Sequence, residues 1–261
     1  MEKGEKIVLA VIIIALLGAA FYFTFLKVGF NVLKAKDSIS SKEGLVLELE
    51  FDNIANYVYD SSGNKNNVKI YKARFESYGC VSGGCLSFDG FNNSVEIQAL
   101  GILENLTDNG NSWTFSVMFK PSGLPRQNKP GYILFRQGYH EGVYYDLSGK
   151  FGATLWFENK SATNNITTRS LNSGVKLDIV KWYHLAMVVN EKKKEAKLYL
   201  DGKQVGKTLS LELPLKDYGK AKYYVGGMPT GPYDSYGWID EVGVYNRALS
   251  DEEVKVLASE K

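Results

Sequence analysis

The chain begins with one unbroken apolar run and then changes to a period of two. Residues 7–26 contain no charged side chain. Twenty helical residues at ~1.5 Å each span roughly 30 Å, the thickness of a bilayer core. From residue 45 the apolar positions alternate. In "LVLELEF", Leu45, Leu47, Leu49 and Phe51 share one face, which predicts a half-buried first strand. "SWTFSVMFKP" places Trp113, Phe115, Val117 and Phe119 on one side, and Pro121 closes it. "YILFRQG", "GVYYDLS" and "KFGATLWFE" read as a glycine-bounded meander. "WYHLAMVVN" is apolar on both faces and predicts a central strand. "AKLYLDG" turns at Asp201-Gly202. The period changes once more at Ser250, an N-cap with Glu253 three residues on, as in a capping box. Val254 and Leu257 then predict a short helix laid on a sheet, and Trp113, Trp182 and Trp238 are assigned to the core.

These elements predict an anchor in residues 1–30, a linker in 31–43 and one all-β, two-sheet antiparallel sandwich in 44–261, with a single C-terminal helix. Two other readings of the leader stay open. One is a signal peptide cut after the small residues Gly18, Ala19 and Ala20; the other is a pilin-type leader processed near Gly4. Apolar residues continue through Phe21, Phe23, Phe25 and Leu26, which favours a transmembrane helix. Composition narrows the partners: 31 basic against 29 acidic residues give a net charge of +2, too small a field to select nucleic acid. Cys80 and Cys85, the only cysteines, bracket Val-Ser-Gly-Gly, a spacing that allows a disulfide in an oxidising compartment. Free thiols are the alternative; a metal on the pair would need two more ligands, and His140 and His184 are the only soft nitrogen donors. N-x-[ST] sequons at Asn92, Asn105, Asn159 and Asn165 agree with export. The expectation is a single-pass cell-membrane protein with its C-terminal domain outside.

Several strings carry a family resemblance: Phe88-Asp89-Gly90, residues 113–121, 182–190, 198–202, 223–227 and 239–250, and Asp60-Ser61-Ser62-Gly63-Asn64 near the domain's start. Together they resemble the laminin G-like domains of the concanavalin A-like superfamily. The resemblance implies a jelly roll of two curved sheets, and binding of glycans or proteins outside the cell. It also implies a structural Ca²⁺ at Asp240, helped by Asp52 after the first strand. On the residues alone, Asp240 shares the strand face of Trp238, Val242 and Val244, where a carboxylate needs a cation, a partner or hydrogen bonds.

Candidate sugar-stacking aromatics near loops are Tyr139 and His140, Tyr144 and Tyr145, Trp156, and Tyr233 and Tyr236 in "GGMPTGPYDSYGW". Catalysis is not expected. The superfamily's hydrolases carry an acid cluster on one strand that this chain lacks, and Asp240 and Glu241 are adjacent, so on a regular strand they face opposite ways. The predicted function is a non-catalytic, membrane-anchored extracellular binding module for carbohydrate. The alternatives are a protein adhesion or surface-assembly component, which would bind a cell-surface protein, and a degenerate glycoside hydrolase.

Overall fold

A computed structural model describes residues 42–52, 58–106, 110–137, 141–216 and 221–259. The apolar segment 7–26, Tyr139 and His140 lie outside the described residues. Among the described residues no helix is long and apolar enough to cross a membrane.

Among the described residues, fifteen strands form two antiparallel sheets. In chain order they are β1 (Leu45–Leu49), β2 (Asn67–Tyr71), β3 (Arg74–Glu76), β4 (Cys85–Asp89), β5 (Ser94–Gln98), β6 (Trp113–Pro121), β7 (Gly131–Arg136) and β8 (Glu141–Tyr145). There follow β9 (Lys150–Glu158), β10 (Ile166–Lys176), β11 (Tyr183–Asn190), β12 (Glu195–Leu200), β13 (Lys203–Ser210), β14 (Lys222–Val225) and β15 (Tyr236–Tyr245). The one α-helix among the described residues is α1 (Asp251–Ser259). The first sheet runs β13-β12-β11-β6-β15-β4-β3, with β1 also on β15; the second runs β10-β9-β8-β7-β14-β5-β2. Two such sheets with one short helix are the expected sandwich.

Alternation fills the space between the sheets. Trp113, Phe115, Val117 and Phe119 from β6 join Leu185, Met187 and Val189 from β11, and Val95, Ile97, Leu134, Val143 and Tyr223 from the second sheet. Each such side chain removed from water contributes about 1.5–3 kcal/mol. Arg136 and Glu141 face each other across β7 and β8, both fully buried, in step with the core residues Leu134 and Val143. Burial pushes the Glu141 carboxyl up to about 7, although the Arg136 charge opposes this.

The capping box forms as expected. Ser250 N–H donates to the Glu253 carboxylate at 2.7 Å, and Glu253 N–H donates to Ser250 Oγ at 3.2 Å. Val254 and Leu257 then pack with Leu45, Ala186, Val188, Tyr199 and Tyr245 on the outer face of the first sheet. His184 is buried, as expected, with a ring nitrogen 2.9 Å from Ser116 Oγ. The Asp60 carboxylate accepts backbone N–H groups of Glu48, Ser62 and Asn66, which ties β1 to the turn before β2.

Two bulges break the expected parity. A register shift between Leu45 and Leu47 turns Leu45 toward α1, while Leu47 and Leu49 enter the core. In β15 the register slips between Asp240 and Gly243, with Glu241 at φ 49°. One inserted residue changes which face every later side chain takes. Asp240 therefore does not share the face of Val242 and Val244; those two point into the core with Ile239, and Asp240 sides with Trp238 on the outer face. The bulge also divides the edge of β15: its first half pairs with β4 and its second half with β1.

Candidate functional site

The outer face of the first sheet has three parts. α1 covers one end. Over the middle lies the loop between Cys80 and Cys85, which form the predicted disulfide with Cα atoms 5.4 Å apart. Asp240, fully buried beneath this loop, accepts the N–H groups of Val81 at 2.9 Å and Ser82 at 3.4 Å on one oxygen and of Glu241 at 2.9 Å on the other. Burial raises its pKa to about 7, against these three bonds. Asp52 accepts the Gly84 N–H at 3.0 Å. Both residues expected to hold Ca²⁺ thus meet on one loop, where backbone N–H donors face them. Among the described residues, Asp240 also falls within 4.8 Å of the two cysteine sulfurs, but these are bonded to each other. N–H donors suit an anion, and hard oxygen donors are what Ca²⁺ needs. This donor set does not fit the ion.

The third part is open. Strand register places Arg74 of β3 opposite Ser87 of β4, Ser87 opposite Trp238 of β15, and Trp238 opposite Lys120 of β6. Trp182, one residue before β11, extends the row. Lys120 Nζ lies 3.8 Å from the ring centre of Trp238 and 4.8 Å from that of Trp182. Gly79, beside Cys80, accepts on its one carbonyl both Lys120 Nζ at 2.7 Å and Trp182 Nε1 at 2.8 Å. Burial between the indoles lowers the Lys120 pKa, while Asp240 and Glu76 oppose this. Two residues along β15, Tyr236 stacks on the Arg126 guanidinium at 3.6 Å, and Asp89 stands opposite it. Between the rows runs a groove of about 380 Å³, lined among others by Arg74, Glu76, Ser87, Asn93, Tyr236 and Trp238.

Trp182 and Trp238 are therefore not core residues; both are half-buried on this outer face. For Trp182 the sign was its parity with His184, opposite to Tyr183 and Leu185. For Trp238 it was hidden by the bulge. Lys120, Arg74 and Ser87 carried no sequence signal, because only the register aligns them.

The five expected sugar-contacting residues that fall among the described ones scatter. Tyr236 is at the groove. Tyr144 and Tyr233 sit on the outer face of the second sheet, where they pack on Tyr132, Phe135 and Tyr224 together with Met228. Tyr132 lies 5.2 Å from Phe135, 5.4 Å from Tyr144 and 5.8 Å from Tyr233, centre to centre. Trp156, half-buried on β9 opposite Thr168, points to the same side. The hydroxyls here have partners: Tyr132 with Thr154, Tyr224 with Glu96. Burial raises the Tyr132 and Tyr224 hydroxyls to about 12. Tyr145 is not near a ligand surface. It is buried in the core, where its hydroxyl donates to the Tyr236 carbonyl at 3.2 Å and accepts the Tyr236 N–H at 2.8 Å. The segment from Gly226 to Tyr236 crosses between the sheets, sending Tyr233 to one face and Tyr236 to the other. Asp234, buried, fixes the crossing by accepting from Asn92 N–H and Gln127 Nε2. Among the sequons, Asn92, Asn105 and Asn165 are exposed and Asn159 is half-buried.

The fold is similar to the binding domain of Paraclostridial Mosquitocidal Protein 1 (TM-score 0.66, 16% identity, covering 85% of this chain and 53% of that one). It is also similar to the binding domain of Botulinum Neurotoxin DC. In that domain's complex with rat synaptotagmin II, the TM-score is 0.63 and the identity 18%, over 85% of this chain and 52% of the other. In its complex with SialylT the values are 0.61 and 16%, over 85% and 52%. This chain spans about half the length of these structures, and at such identities the likeness concerns the fold alone. A comparison with curated proteins gives no match. Residues 89–255, from the turn at Asp89 into α1, match the sequence profile of Laminin_G_3. With sheets, turns and profile in agreement, the chain belongs to the concanavalin A-like lectin/glucanases superfamily.

Proposed function

We propose that this chain is a non-catalytic, membrane-anchored binding module, displayed outside the cell, that recognises carbohydrate on the outer face of its first sheet. The observation that carries this reading is the cross-strand row Arg74, Ser87, Trp238, Lys120, Trp182, with Tyr236 beside it. Half-buried aromatic faces fit the C–H faces of sugar rings, and the interleaved ammonium, guanidinium, hydroxyl and carboxylate groups fit sugar hydroxyls. Trp238 and Trp182 stand two strand spacings apart, roughly 10 Å, with Lys120 between them. The SialylT complex of a protein of similar fold supports the reading by analogy only.

The test is a glycan array probed with the full-length chain in detergent, beside Trp238→Ala. Retention of at least one glycan by the wild type, lost in the variant, is expected. Silence across the array sinks the carbohydrate reading. A protein ligand is the second reading: Tyr78, exposed to 86% of its surface beside Gly79, together with the tryptophans and Arg74, has the composition of an interface hot spot. Pull-down with the same two proteins distinguishes it.

A further inference from the structure

Beyond the groove, a separate surface lies where β6 and β10 end. Nine large apolar side chains are well exposed among the described residues, and four of them meet here: Leu124, Leu147, Ile179 and Val180, at 49%, 48%, 58% and 75%. They stand on three turns held against one another. Val180 N–H donates to the Pro121 carbonyl at 2.8 Å, Leu177 N–H donates to the Gly149 carbonyl at 2.9 Å, and Leu124 Cδ2 lies 3.1 Å from the place a Cβ on Gly149 would take. Val180 is a β-branched residue held at φ 60°, a region such residues avoid, and it is held there pointing into solvent.

The extended charged side chains around these tips are lysines. Lys150, Lys176 and Lys181 stand on or beside the three turns, are exposed, and form no salt bridge among the described residues; Lys181 Nζ lies 4.7 Å over the Tyr183 ring, and the Lys150 charge acts on Asp146. The carboxylates nearby are turned into their own turns. Asp146 accepts from Ser148 and Lys150 N–H, and Asp178 accepts from the Tyr183 hydroxyl. Apolar tips framed by exposed lysines match a bilayer whose headgroups are anionic: the tips enter the acyl boundary and the ammonium groups stay at the phosphates.

The geometry points to this rim as a docking edge for an anionic lipid surface. The tips stand on separate turns rather than lining a concave face, which favours lipid over a protein partner. The rim also lies at the Tyr236 end of β15, whereas the chain enters the domain beside Tyr245, at the strand's other end. The edge is thus presented away from the point of entry. This inference does not depend on carbohydrate binding.

The test uses the full-length chain held on beads through a C-terminal tag, with fluorescent vesicles of phosphatidylcholine alone or mixed with phosphatidylserine. Residues 7–26 are common to all proteins compared, so the differences between them report the rim. The wild type is expected to capture phosphatidylserine vesicles at least about tenfold better than Ile179→Ser/Val180→Ser or Lys176→Glu/Lys181→Glu. Each variant should unfold at the wild-type temperature, because the four side chains are exposed, and should keep any glycan retention. Equal capture by wild type and variants overturns the inference. So does capture confined to vesicles carrying extracted membrane proteins, which would mark a protein partner.

Discussion

The two outer faces of the sandwich both carry aromatic residues, and they use them in opposite ways. On the second sheet, Tyr132, Phe135 and Tyr224 are nearly or fully buried, pack ring to ring, and spend two hydroxyls on Thr154 and Glu96. On the first sheet, Trp238, Trp182 and Tyr236 are half-buried, spaced by strands, and interleaved with Lys120, Arg74 and Ser87. The first arrangement is a third layer of core. The second leaves ring faces and charged groups able to meet a ligand. The number of aromatics says little about recognition; what separates the faces is how far each ring is already satisfied.

Substitutions on the two faces should therefore have separable effects. The largest stability loss belongs to the closed face: Phe135→Ala should cost about 3–5 kcal/mol in urea unfolding, with ligand retention per folded molecule unchanged. A retention loss as large as the stability loss would erase the distinction. Trp238→Ala should do the reverse, costing about 2 kcal/mol of binding by titration and about 1 kcal/mol of stability. Cys80→Ser/Cys85→Ser sits between the two. It frees a short loop worth about 2 kcal/mol, and through Gly79 it should also weaken binding, because Lys120 and Trp182 lose their shared acceptor. Unaltered binding in that variant would show the row to be held by the sheet alone.

Acidity offers a subtler probe. Asp240 and Glu141 both titrate near 7 in the folded chain, well above their ordinary values of 3.8 and 4.5. These two groups then hold more protons in the folded state than in the unfolded one, so their contribution to stability is fullest below about pH 4 and falls as pH rises toward 7. Chemical unfolding across that window should show the decline, and Asp240→Asn should flatten part of it. The smallest expected effect is that of Ca²⁺: neither the ion nor a chelator should move the unfolding temperature. A rise of several degrees with Ca²⁺ would restore Asp240 and Asp52 as ligands.

Much of this architecture was legible in the alternation of β6, β11 and β12, in the turn residues between strands, and in the capping box at Ser250. Cys80 and Cys85 were legible from their spacing. The groove was much less so. Its row exists only through the register of five chain segments, and no single stretch of sequence records register. Tyr145 and Trp238 exchanged roles between expectation and structure for a related reason. Nearness to a loop does not fix which way a side chain turns, and a bulge at Glu241 reverses the faces within one strand.

That bulge has one more consequence. Because β15 hands its edge first to β4 and then to β1, the sheet leaves an opening in its own border, and the cystine loop fills it without contributing a strand. Residues 81–84 have little room to change there: a side chain on Gly83 would meet the Asp52 carboxylate, one on Gly84 would meet the Phe75 ring, and the N–H groups of Val81 and Ser82 hold the buried Asp240. Through Gly79, next to Cys80, this fixed plug also sets where Lys120 and Trp182 stand.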